Sequence, residues 1–105
     1  MLFEINWSTT AQEQLFLIYE YYSEKLSSKT ASKLIRGIIN ESLSLKQTPY
    51  LGQKEVLLEN RSKDFRYLIH KNYKIIYVID EEIYTIKIYD VFDVRQSPNK
   101  LFRNI

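Results

Sequence analysis

Six side chains able to do acid–base or phosphate chemistry fall at alternating positions of three consecutive β-type runs. Arg66 and His70 close the run 65–70, Lys74 lies in 73–79, Lys87 and Tyr89 in 83–92, and Arg95 follows just beyond. Side chains two apart on a strand share a face, so Arg66, His70, Lys74, Lys87, Tyr89 and Arg95 are expected together on one side of a sheet. Guanidinium and ammonium groups hold phosphate oxygens, Arg bidentately, and His70 and Tyr89 are the neighbours able to move a proton. RNA cleavage through the 2′-hydroxyl needs an activated hydroxyl, stabilised charge on phosphorus and a protonated leaving oxygen, and such a face could supply all three. A solvated basic face is the competing reading, and it is preferred for Lys87, His70 and Tyr89 taken singly. One histidine, no cysteine and scattered acids give no metal-ligand spacing, so neither a metal nor a cofactor is implied.

The position of these residues depends on register. Only Lys71-Asn72 and Asp80-Glu81-Glu82 separate the three runs, and connections that short reverse the chain into an antiparallel meander. Alternation assigns Phe65, Tyr67 and Ile69, then Ile75, Tyr77 and Ile79, then Tyr84, Ile86, Ile88 and Phe92 to the core. Arg66 and Lys74 share the outward face only if the first hairpin closes with an odd loop, such as His70 opposite Lys74. A strict Lys71-Asn72 turn would separate them. The odd loop is expected because it keeps Tyr67 and Tyr77 on one apolar side, and burial dominates register.

Upstream, Phe3, Ile5 and Trp7 alternate with polar residues as in a short strand. Ser8, Thr9 and Thr10 are candidate N-caps, and Ala11, Leu15, Ile18, Tyr19, Tyr22 and Leu26 recur at helical spacing, which predicts a helix from about Thr10 to about Lys25. After Ser27-Ser28 the pattern resumes with Ala31, Leu34, Ile35, Ile38, Ser42 and Leu45, a second helix ended by Gln47-Thr48-Pro49. Gly37 within it is expected to admit close approach of the first helix. Tyr50 to Asp64 reads as a long connection. The order β-α-α-β-β-β gives an α+β fold: a helical hairpin on one face of a mainly antiparallel four-stranded sheet, the other face exposed.

One domain, 1–105, is expected from this length. Fifteen basic against thirteen acidic residues leave a net charge of +2, too small to mark a nucleic-acid binder. MLFEINWSTT has no basic stretch followed by an apolar one and no later apolar run reaches membrane length, so neither a secretory leader nor a membrane span is expected. With no cysteine, the expectation is a soluble cytoplasmic protein with no membrane partner.

Trp7-Ser8 before the first helix, the Leu15, Ile18, Tyr22 spacing, Pro49 and Gly52, Arg66-Tyr67-Leu68, Tyr73-Lys74-Ile75-Ile76-Tyr77, and Val91-Phe92-Asp93-Val94-Arg95-Gln96-Ser97-Pro98 occur in an order and spacing that resembles the RelE/ParE superfamily of bacterial toxins. The resemblance covers nearly the whole chain. It implies a growth-inhibiting toxin of a type II toxin-antitoxin, plasmid-stabilisation type of module, held inactive in a hetero-oligomer by a cognate antitoxin that wraps it. RelE-like members cut mRNA in the ribosomal A site as metal-independent mRNA interferases, and ParE-like members inhibit DNA gyrase. Arg66, Lys74 and Arg95 align with basic active-site positions of the RelE-like enzymes. Those enzymes carry a functional tyrosine, or a His-Tyr pair, in a C-terminal tail that here reads Lys100-Leu101-Phe102-Arg103, and Phe102 cannot transfer a proton. The Trp7-Ser8 entry and long helical hairpin are also more similar to ParE. Gyrase inhibition is therefore the leading expectation, with the ribosome-dependent endoribonuclease as alternative and an inert protein-binding module on the same fold as a third. Leu17 and Tyr21, on a flank of the first helix away from its core stripe, are the expected docking strip for the antitoxin.

Overall fold

The computed structural model describes residues 2–96. Strand β1 (Glu4–Trp7) leads into helix α1 (Thr9–Lys25) and helix α2 (Ser28–Leu43), followed by a short strand β2 (Gln53–Lys54) and the meander β3 (Arg66–His70), β4 (Tyr73–Asp80) and β5 (Thr85–Asp93). Ser8 caps α1 by accepting from the Ala11 amide, and Ser27 caps α2 by accepting from that of Thr30, each satisfying one otherwise orphaned helix-start donor. The Ser8 hydroxyl also donates to the Tyr89 carbonyl at 2.9 Å, which ties the start of α1 to β5.

The strands form one five-stranded sheet in the order β1-β5-β4-β3-β2, with β1 parallel to β5 and the other pairs antiparallel. The α+β expectation holds with one strand added. Sequence pattern passes over β2 because its two residues are exposed and carry no alternation. Both helices pack on one face, where Ala11 and Ile38 meet Leu68, Tyr73, Ile75, Tyr77, Ile86, Ile88 and Val91, with Leu15, Ile18, Tyr22 and Leu34 around them.

The far face is not exposed as expected. Leu58, from a single 3-10 turn (Val56–Leu58), packs with Phe65, Ile76 and Phe92, flanked by Tyr67, Val78 and Tyr89. Ile75, Ile76 and Tyr77 are consequently all fully buried. A strand covered on both sides loses its alternation, and the pattern no longer reports which parity faces the helices.

That second core explains the register. The β3–β4 hairpin closes strictly on Lys71-Asn72, with His70 opposite Tyr73, Leu68 opposite Ile75 and Arg66 opposite Tyr77. Lys71 takes φ 54°, the positive φ that tight hairpin turns require of their first central residue. Tyr67 therefore lies on the far face rather than beside Tyr77, and Ile69 is exposed. A β-bulge shifts the parity again in β5: Ile76 pairs with Asp90 but Tyr77 with Ile88, which leaves Tyr89 as the extra residue. Ile86 and Ile88 face the helices, Val91 follows them, and Phe92 turns to the far side, against expectation. Tyr84, expected in the core, sits half-exposed in the β4–β5 turn with its ring edge-on to Phe3.

Gly37 makes room for a different neighbour from the one expected. A Cβ there would lie 2.5 Å from His70 Nε2, so the glycine lets α2 pass over the imidazole of β3, not over α1.

Candidate functional site

The register scatters the six side chains that alternation would gather. Lys74, Lys87 and Tyr89 lie on the far face; Arg66, His70 and Arg95 lie on the helix side or at its rim. The expected shared basic site of Arg66, Lys74 and Arg95 is therefore not formed.

Each of these groups has a local partner. The Arg66 guanidinium donates to the Gly52 carbonyl at 3.1 Å, lies 3.7 Å from Asp64 and stacks at 4.9 Å from the Tyr50 ring centroid, so it closes the start of the long connection. Lys74 donates at 2.6 Å to Glu55, whose side chain is 1% exposed and also accepts from the Leu57 amide. His70 sits 3.5 Å from Glu41. Lys87 pairs with Asp80 at 3.2 Å. The Tyr89 ring stands edge-on to Phe65 with centroids 5.3 Å apart. Arg66, Lys74 and Arg95 are thus each turned to a different partner, Gly52, Glu55 and Asp93, and not toward one shared point.

A different constellation does form, in a cleft of about 720 Å³ between α1 and the end of β5. Gln14, Leu17, Ile18, Tyr21 and Tyr22 from α1 make one wall, Tyr73 and Val91 lie on the sheet, and Asp93, Arg95 and Gln96 form the rim. Arg95 holds Asp93 with two parallel contacts, Nε at 3.0 Å and Nη2 at 2.8 Å, and Nη2 reaches the Tyr22 hydroxyl at 3.4 Å. The bidentate contact and the Arg95 amide hold the Asp93 carboxyl at about 2, well below the usual carboxylate range. Burial pushes the Tyr73 phenol up, reinforced by Tyr22. Tyr22 moves the other way, held down by its hydrogen bond with Tyr73 and then by Arg95.

Because the Asp93 pKa is depressed on folding, its stabilising contribution is complete above the unfolded carboxylate value near 3.8 and is lost as pH falls from there through about 2. An Arg95→Ala variant is expected to move the Asp93 titration up toward the ordinary carboxylate value, followed by NMR on the side-chain carboxyl carbon. An unchanged Asp93 titration would mean that its neighbours, not Arg95, set it.

A family model described as the ParE toxin of the type II toxin-antitoxin system parDE matches residues 5–98. The chain belongs to the ParE toxin family. Three solved structures show how far this ParE-family fold is shared. A chain of a chromosomal ParDE system from P. aeruginosa superposes with TM-score 0.73 at 18% identity, covering 89% of this chain and 97% of that one. A chain of the RelBE2 toxin-antitoxin complex from Mycobacterium tuberculosis gives 0.66 at 16% identity, with 89% and 92% covered. A YoeB dimer chain from Staphylococcus aureus gives 0.55 at 21% identity, with 86% and 94% covered. At such identities the likeness concerns the fold alone. No curated protein matches the sequence significantly.

Leu17 and Tyr21 are 54% and 55% exposed on the ParE-family toxin's first helix. Helical spacing puts them on one flank but carries no sign that Arg95 and Asp93 close the same cleft from the sheet side. Glu55 was also missed: a lone acid in a loop carries no signal, except that a lysine on a strand buried on both faces needs a partner. Ser97, Pro98 and the tail with Phe102 lie outside the described residues. Among the described residues no group of acids and histidines could hold a metal, and no helix is long and apolar enough to cross a membrane.

Proposed function

We propose that this toxin arrests growth in the ParE manner, by inhibiting DNA gyrase, and is neutralised by a cognate antitoxin that docks on α1 at Leu17 and Tyr21. The ParE family match over residues 5–98 carries the reading. The dispersal of Arg66, Lys74 and Arg95 over separate partners supports it over an RNA-cleaving alternative. Phosphate stabilisation requires preorganised cations aimed at one point, and here each cation is neutralised locally.

Induced expression in a bacterial host tests the reading. Growth should stop, a DNA-damage response should rise while translation continues, and co-expressed antitoxin should restore growth. Immediate loss of translation with no damage response would assign the target to the ribosome and mRNA. No arrest at all would leave a protein-binding module on a toxin fold.

A further inference from the structure

Helix α2 has two unlike sides. Ala31, Ile38 and Ser42 are its buried residues. At about 100° per residue, Lys29, Lys33, Arg36 and Asn40 fall within an arc of about 60° on the opposite side, and all four are exposed. No apolar or aromatic side chain interrupts that line between Lys29 and Asn40. The one acid of α2, Glu41, is turned to His70 at 3.5 Å. Among the described residues none of the three cations pairs with a carboxylate, whereas Lys54, Arg66, Lys74, Lys87 and Arg95 all do. This holds although α1, packed alongside, carries Glu13, Glu20 and Glu24.

Such a stripe works against the helix that bears it. Lys29 and Lys33 are four apart and Lys33 and Arg36 three apart, and like charges at these spacings are destabilising. A face that serves solvation alone intersperses both signs and gains helix-stabilising pairs. Here a local rule is broken with no structural return, which points to a ligand. Protein partners and lipid surfaces require apolar anchors, and single-stranded nucleic acid requires aromatic stacking platforms; the line from Lys29 to Asn40 has neither. From Lys29 to Arg36 is about 10 Å at 1.5 Å per residue. One strand of a duplex presents a phosphate about every 3.4 Å of axis, so that length spans about three of them. Asn40 adds an amide able to donate to a phosphate oxygen.

We propose that the outer face of α2 binds the phosphate backbone of duplex DNA through Lys29, Lys33 and Arg36. Backbone contacts position a protein without reading base sequence, so the binding is independent of sequence. The choice of DNA over an RNA duplex rests on the gyrase reading and deepens it: the inhibitor of an enzyme whose substrate is DNA makes a contact of its own with that DNA. The small net charge of +2 conceals the surface, because the acids lie on other elements.

The test titrates the full-length toxin, separated from its antitoxin, into a fluorescein-labelled DNA duplex of mixed sequence and follows anisotropy. A Lys29→Gln, Lys33→Gln, Arg36→Gln variant should bind at least about tenfold more weakly at about 50 mM salt, and its logarithmic salt slope should be shallower than wild type by about 2.7, about 0.9 for each phosphate neutralised. Thermal melting should show it at least as stable as wild type, since like-charge repulsion is relieved and Gln matches Lys and Arg as a helix former. The single variants Lys33→Gln and Arg36→Gln should each lose about one phosphate's share of the slope, which keeps the test independent of the triple variant's folding. Removing equal charge elsewhere, by Lys54→Gln, Lys63→Gln and Lys71→Gln, should leave most of the affinity and the wild-type slope.

Equal losses in the two triple variants overturn the proposal, because attraction would then follow total charge and not the stripe. So does wild-type binding that fails to saturate at low salt. Tighter binding to an RNA duplex of the same sequence would overturn it in favour of RNA. Supercoiling by purified gyrase, assayed beside the titrations, keeps the two readings apart. Stripe-dependent DNA binding by a toxin that leaves gyrase active would overturn the gyrase reading while the DNA surface stands, and gyrase inhibition without stripe-dependent binding would do the reverse.

Discussion

Tyr77→Phe is expected to destabilise the toxin by roughly 2–4 kcal/mol although it removes a single oxygen. Tyr77 is fully buried in β4, and its hydroxyl accepts from the Gly52 amide at 2.9 Å and donates to the Pro49 carbonyl at 2.8 Å. The backbone approaches so closely here that only glycine fits, since a Cβ at Gly52 would lie 2.5 Å from that hydroxyl and 2.6 Å from the Tyr67 carbonyl. Removing the oxygen leaves the buried Gly52 N–H without this partner, at about 1–3 kcal/mol, loses the part-buried bond to the Pro49 carbonyl, and releases the turn from which β2 begins. Urea unfolding should show a lower midpoint at unchanged slope. A loss below about 0.5 kcal/mol would mean that water replaces the hydroxyl. Tyr77→Ala should cost more, since it also opens a cavity worth about 3–5 kcal/mol for an aromatic truncation.

Lys74→Met carries the other large effect, an expected loss of roughly 3–5 kcal/mol. Its ammonium is the 2.6 Å partner of Glu55, and truncation strands a carboxylate that is almost fully enclosed beneath the 3-10 turn carrying Leu58. Breaking a buried pair from one side is far costlier than removing both partners. Glu55→Gln in the Lys74→Met background should therefore recover most of the loss, measured by the same denaturant titration. A Lys74→Met variant of normal stability would return Lys74 to the pool of functional cations. The second core formed by Leu58, Phe65, Ile76 and Phe92 depends on this pair, because Glu55 also anchors the loop by its backbone, its amide donating to the Phe65 carbonyl at 2.8 Å.

The candidate site was legible only in part. Helical spacing was enough to put Leu17 and Tyr21 on an exposed flank, because a helix packed on one side keeps its 3.6-residue signature. Arg95 was singled out, but for a cluster that does not exist. Its actual neighbours, Asp93 two residues back and Tyr22 on α1, become neighbours only when α1 lies across β5.

Sequence alone determined the elements and their order, since caps, proline stops and apolar periodicity act within a few residues of where they are written. It determined the antiparallel meander too, because two- and three-residue connections allow nothing else. Tertiary structure alone decided which residues share a face. Two exposed residues, Gln53 and Lys54, add an edge strand, the Leu58 turn covers the far side, and β4 becomes apolar on both faces. Once both faces are buried, alternation cannot choose between registers one residue apart. The choice passes to the Lys71-Asn72 turn and the Tyr89 bulge, and their two parity shifts send Arg66, Lys74 and Arg95 to three separate environments.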